Sequence, residues 1–199
     1  MKNIATTMVI ACFIITGIFA QDVSGRLGEA SSSYKSGDLQ GTRFALQQAL
    51  NEIDLAIGQE ILKLLPTKMG KMEATGEDGN YSASTMGYAG LFVSRAYKSG
   101  EELSSNIQII SDSPLLAGLN TLLALPMFAS DPNQKRIRVS GYRALLQRNV
   151  SDEGITNWEV QIPVRSTLIT FNCTGIATEK EVTDMVNTIP VEQIARFAQ

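Results

Sequence analysis

The sequence predicts an α+β fold, one antiparallel sheet with helices packed on it, and three observations predict it. A helical period at residues 39–65 gives way after Pro66 to alternation of β-branched and aromatic residues with polar ones. One leucine-rich helical stretch at 115–125 interrupts that alternation, and the chain closes on a short helix opened by a capping box. The resulting order is an αββαβββα-like sandwich preceded by a long amphipathic helix. With 199 residues, 44% of them apolar and 19% charged, the composition is that of a globular chain. It disfavours disorder, coiled coil and a multi-span membrane protein.

Each element has its own signature. Leu46, Leu50, Ile53, Ile57, Ile61 and Leu64 step by 4, 3, 4, 4 and 3, while Gln47, Asn51, Asp54 and Lys63 fall off the stripe, so 39–65 is an amphipathic helix stopped by Pro66. Asp78-Gly79 is a hairpin-type turn, 87–98 and 103–111 are strands, and Lys98 to Glu101 turns between them. Ser113-Pro114 supplies an N-cap and first-turn proline for a helix whose leucines surround most of its circumference, which predicts deep burial. Asp131-Pro132-Asn133 turns the chain into strand-forming sequence at 135–148. On the next strand Trp158, Val160, Ile162 and Val164 share one face, and Leu168 to Cys173 follow a turn around 163–166. Thr178 and Glu181 form the capping box of a helix over 179–187 with Val182, Met185 and Val186 inward, and Pro190 resets the chain.

Met1-Lys2-Asn3 followed by an uncharged apolar run to Ala20 reads as a signal peptide, cleaved after Ala20 or, less simply, after Ala30. An uncleaved anchor is the competing reading, and both export the rest, most simply to the periplasm of a Gram-negative bacterium or to the extracellular space. The expected organisation is therefore a signal peptide at 1–20, a flexible or short helical segment at 21–37, and a single α+β domain at 38–199 that includes the helix 39–65. In that picture the stripe from Leu46 is covered by the chain's own sheet. Loss of Lys2 with the leader takes the net charge from −3 to −4, so neither sign of partner is demanded. Cys12 leaves with the leader, and Cys173 alone cannot form an internal disulfide. Its alternation with Ile169 and Phe171 predicts a packed core thiol.

The element order from Gly87 to Phe197, antiparallel strands, helix, strands and C-terminal helix, is similar to that of the Mog1/PsbP-like fold group. That resemblance covers residues 87–197, carries no diagnostic motif, and leaves the long helix unexplained. It implies a three-layer sandwich and an accessory or binding role, with no functional residue to carry over.

The chain contains no histidine, which removes Ser-His-Asp and Cys-His catalysis, imidazole bases and histidine-based zinc sites. One exported cysteine removes Cys-based clusters and C-x-x-C chemistry, and neither metal nor cofactor is expected. Ser32-Ser33-Tyr34-Lys35 matches S-x-x-K, but Ser111-Asp112-Ser113 and Lys98-Ser99-Gly100 stand in the wrong order for that enzyme class. The acid pairs Glu77-Asp78, Glu101-Glu102 and Asp152-Glu153 fall in turns and read as solvated loop charge. Met69 and Met72 are soft thioethers suited to Cu(I), yet read more simply as gap-fillers.

Between Asp131 and Asp152 lie Lys135, Arg136, Arg138, Arg143 and Arg148 with no acid, a candidate patch for an anionic partner or a charge-protected edge strand. Taken together the residues point to an exported, non-catalytic binding or accessory protein whose partner is an unknown protein or a small anionic ligand. No nucleic acid is expected, and membrane contact only through an uncleaved leader. The alternatives are a Ser/Lys- or carboxylate-based hydrolase, and a partner-binding structural protein at the membrane surface.

Overall fold

The computed structural model describes residues 17–76, 79–83, 90–125 and 133–197, with side chains from Val23 onward. The expected leader at 1–20 and the turns at Glu77-Asp78 and Asp131-Pro132 fall wholly or mostly outside these residues. Among the described residues there are five helices and a nine-stranded antiparallel sheet, so the α+β fold expected from the sequence is the fold found. None of the described helices is long and apolar enough to cross a membrane.

Contacts divide the chain into two units, Met1–Ile53 and Asp54–Gln199, and the division falls inside a helix. The first unit holds α1 (Gly17–Lys35) and the beginning of α2 (Leu39–Leu64). Gly37, at φ 81°, ends α1 in a Schellman pattern: its N–H donates to the Tyr34 carbonyl, and the Asp38 N–H to that of Ser33. Asp38 then caps α2, its Oδ1 accepting from the Gly41 N–H at 2.9 Å. Among the described residues of this unit the buried apolar side chains are Ala30, Ala45 and Ala49, while Leu39, Phe44, Leu46, Leu50 and Ile53 are exposed. Ala45 and Ala49 stand one residue ahead of Leu46 and Leu50, a rotation of about 100° around a helix of 3.6 residues per turn. The face of α2 that turns inward here is the alanine row. Of the leucine–isoleucine stripe expected to be covered, Leu46, Leu50 and Ile53 are exposed, whereas Ile61, in the second unit, is 2% exposed.

In the second unit the chain leaves α2 through a hairpin, β1 (Lys68–Met69) and β2 (Met72–Ala74), in which Met69 pairs Met72 across Gly70 and Lys71. The sequence reading missed it, for two- and three-residue strands carry too little alternation to register. β3 (Asn80–Ala83), β4 (Leu91–Ser99) and β5 (Leu103–Ser111) follow, the last matching its expected bounds. After α3 (Leu115–Ala124) the strand-forming sequence expected at 135–148 is a hairpin, β6 (Gln134–Val139) and β7 (Tyr142–Val150). Ser140 and Gly141 turn it with φ 48° and 87°, the left-handed values that a two-residue hairpin turn of type I′ needs. β8 (Thr156–Val164), β9 (Thr167–Thr174), α4 (Glu179–Val186) and α5 (Val191–Phe197) complete it. The order across the sheet is β1-β2-β4-β5-β9-β8-β7-β6, with β3 also paired to β4.

Strand alternation sorts the core onto two faces. One face carries Val93, Tyr97, Ile107, Ile109, Val160, Ile162, Ile169, Phe171 and Cys173, and against it pack Ile61 and Leu65 of the α2 end, Val182 and Val186 of α4, and Ile194 of α5. The other face carries Leu145 and Leu168, packed by Leu116, Leu119 and Leu123 of α3. The deep burial expected of α3 is corrected: three leucines at i, i+3 and i+7 face the sheet, whereas Leu115 and Leu125 are exposed. Its apolar circumference reflects composition, and only one side finds a partner.

Candidate functional site

The five cations of the expected patch all lie on the β6–β7 hairpin, and the register parts them. Arg136 pairs Leu145, which belongs to the α3 face, and Arg138 pairs Arg143 on the same side. Lys135 pairs Leu146 and Arg148 pairs Trp158, both of which belong to the opposite face. Because neighbouring residues of a strand point to opposite faces, a run of cations along a hairpin cannot act as one patch. The register places Arg136, Arg138 and Arg143 on one face of the sheet and Lys135 and Arg148 on the other.

On the three-residue side Arg138 and Arg143 stand directly opposite each other, a like-charge pairing that costs stability. The Arg138 guanidinium donates to the Gly141 carbonyl at 3.1 Å. On the other side a hollow of about 310 Å³ is bounded by Lys135, Arg148, Trp158 and Glu179. Lys135 meets Glu179 at 2.6 Å, so its charge is already matched. Arg148 sits 5.7 Å from the Trp158 ring centre, a cation–π distance, and the indole N–H donates to the Ile176 carbonyl at 2.9 Å. The hollow also borders the start of α4, yet that helix end is closed to anions. Thr178 accepts from the Glu181 N–H, its hydroxyl donates back to the Glu181 carboxylate at 2.9 Å, and Glu179 and Glu181 place negative charge in the first turn. The Thr178 N-cap read from the sequence is present, with the Glu181 carboxylate bonded to its hydroxyl, and it argues against a small anion in this hollow.

A second hollow, about 380 Å³, has an apolar floor of Met72, Leu103, Ile176 and Met185 and a charged rim of Lys71, Glu181 and Asp184. Met69 and Met72 are at most 1% exposed, and the Met69 sulfur accepts from the Thr188 hydroxyl at 3.4 Å. Both fill the core beside the β1–β2 turn, as gap-filling methionines do. Cys173 is buried as expected, and burial pushes its thiol up to about 12.

Ser32 and Lys35 lie exposed on α1, and Glu101, Glu102, Asp152 and Glu153 are exposed in turns. A third hollow of about 100 Å³ was invisible to motif reading. It gathers Asp54 from α2, Ser111 and Asp112 from the end of β5 and just past it, Ser166 from the β8–β9 turn and Thr167 from the start of β9. These residues are too far apart in sequence for any spacing rule, and only the sheet register brings Ser111 opposite Thr167. Among the described residues no group of three or more His, Cys, Asp or Glu side chains could hold a metal. No family model, curated protein or solved structure matches the chain, so what its surfaces do must be argued from their own chemistry.

Proposed function

We propose that the chain is an exported, non-catalytic accessory protein that engages a helical segment of a partner protein through the first half of α2. One observation carries this reading: an apolar row that is buried at Ile61 runs on, exposed, through Ile53, Leu50, Leu46 and Leu39. Leaving so much contiguous apolar surface in water is unusual for a monomer and marks interaction surfaces. The accessory role implied by the Mog1/PsbP-like resemblance is proposed with it.

The spacing favours a helix as the occupant. Leu39, Leu46, Leu50 and Ile53 step by 7, 4 and 3, the 3.5-residue repeat of a seam that receives knobs from a facing helix. A lipid surface is less well matched, because helices lying in a bilayer interface flank their apolar face with Lys and Arg. Between Leu39 and Ile53 there is one cation, Arg43, offset by Glu52, and the flanks are Gln40, Gln47 and Asn51.

The test places a photoreactive benzoylphenylalanine at position 50 or, as control, at position 47, in the cells that make the protein. A discrete cross-linked species from position 50, absent from position 47 and lost when Leu46 is changed to Gln, is the expected result. Its mass shows whether the partner is a second copy or another polypeptide. Equal labelling from both positions, or none from position 50, overturns the proposal.

A further inference from the structure

We propose that the hollow formed by Asp54, Ser111, Asp112, Ser166 and Thr167 binds a hard divalent cation of the calcium class. All five residues belong to the second unit, and none takes part in the helical seam, so this inference stands apart from the proposed partner contact.

The hollow is small, about 100 Å³; its base is apolar, with Ile57, Ile61, Leu91, Ile109 and Phe197, and two carboxylates and three hydroxyls stand on the rest of its wall. Thr167 is 1% exposed and its Oγ1 has no hydrogen-bond partner. It pairs with Ser111 in the β5–β9 ladder, so both side chains leave the sheet on the face where α2 and α5 pack, which is the side on which the hollow lies. An orphaned hydroxyl at that depth is costly unless something supplies it with a partner. The Ser111 hydroxyl accepts from the Leu91 N–H at 2.7 Å, and the Asp112 N–H donates to the Ser166 carbonyl at 2.7 Å, which fixes the two strand ends relative to each other. Asp112 is held at φ 51° in the left-handed region, a conformation that Asp tolerates better than most residues.

Charge points the same way. Burial and the neighbouring Asp112 carboxylate, in that order, raise the pKa of Asp54 above its ordinary value. Two carboxylates in one concavity repel, and a cation between them turns that repulsion into attraction. The donors are all oxygen, with neither nitrogen nor sulfur, which selects hard ions over zinc or copper. They come from three separate segments and include two carboxylates, a set better suited to the variable coordination of Ca²⁺ than to the strict octahedron of Mg²⁺. With water completing the shell, affinity in the range of about 10⁻⁴ to 10⁻³ M is expected, as in weak extracellular calcium modules.

The test uses the full chain with CaCl₂ or MgCl₂ and reads thermal midpoint and calorimetric binding. Ca²⁺ at millimolar concentration is expected to raise the midpoint by a few degrees, with a smaller effect of Mg²⁺. Asp54→Asn and Asp112→Asn should each abolish the rise, and Thr167→Val should weaken Ca²⁺ binding several-fold. In EDTA the Asp54→Asn protein should melt no lower than the parent, because it loses only a repulsion, so a lost response cannot be blamed on misfolding. A midpoint indifferent to Ca²⁺, a rise that persists in Asp54→Asn, or a response to Mg²⁺ alone overturns the proposal.

Discussion

Cys173 and Tyr97 make the alkaline behaviour of the protein predictable. Burial pushes the Cys173 thiol and the Tyr97 phenol each up to about 12, and the Tyr97 hydroxyl donates to the Pro66 carbonyl at 2.8 Å. In the unfolded chain both groups lose their protons at ordinary values, near 9 and 10. Between those values and about 12 the folded state therefore binds more protons than the unfolded state, and stability falls as pH rises. Denaturation midpoints followed from pH 7 to pH 11 should decline above about pH 9, and Cys173→Ala should flatten part of that decline. In the native protein a thiol reagent should leave Cys173 unmodified at pH 8 and label it after unfolding; rapid native labelling would contradict the burial. Gly175 offers a second residue-scale check. It adopts φ 83°, and a Cβ there would strike the Glu102 carbonyl oxygen, backbone that cannot swing away. Gly175→Ala should cost about 1–3 kcal/mol in a urea melt, as left-handed strain and a steric clash combine.

Helix α2 has two halves that differ in what they touch. From Ile57 on its apolar side chains belong to the main core, and the carbonyls just past its end are held from β4: the Arg95 guanidinium donates to the Leu65 carbonyl at 2.7 Å and the Tyr97 hydroxyl to that of Pro66. Ahead of Ile53 the same apolar period continues without cover. Ile61→Ala should cost about 2–5 kcal/mol, the range for truncating a buried aliphatic chain, while Leu46→Gln should move stability by no more than about 0.5 kcal/mol. Equal losses would mean that Leu46 is buried after all. This contrast also shows where sequence reading stops. Periodicity located the helix and its end at Pro66 because propensity and spacing are local, but a stripe says only that an apolar face exists, not whose surface covers it. α3 repeats the point, its leucine ring reading as full burial when one side alone is packed. In a strand with strict alternation, such as β8, the buried face was legible, because Trp158, Val160, Ile162 and Val164 have one side on which to be buried, although the strand runs through Pro163 and Val164, which were expected in the following turn.

At the scale of the whole molecule the sheet is what sequence could not order. Local alternation finds strands but not their neighbours, and it was the register that separated Arg136, Arg138 and Arg143 from Lys135 and Arg148 and set Ser111 opposite Thr167. Among the described residues, both apolar clusters, including the residues packed at their margins, begin at Ile57, within the second unit. A chain beginning at residue 47, about two helical turns ahead of Asp54, should accordingly unfold in a single cooperative transition. Its midpoint should lie within a few degrees of the full chain, and tryptophan fluorescence should report the native burial of Trp158, 6% exposed in the full chain. It should also lose the cross-link expected from position 50, because Leu39 and Leu46 are missing from its seam. A truncated chain that melts broadly, or with Trp158 in water, would show that the first unit helps to hold the sheet together, and the exposed leucines of α2 would then need another explanation than a partner.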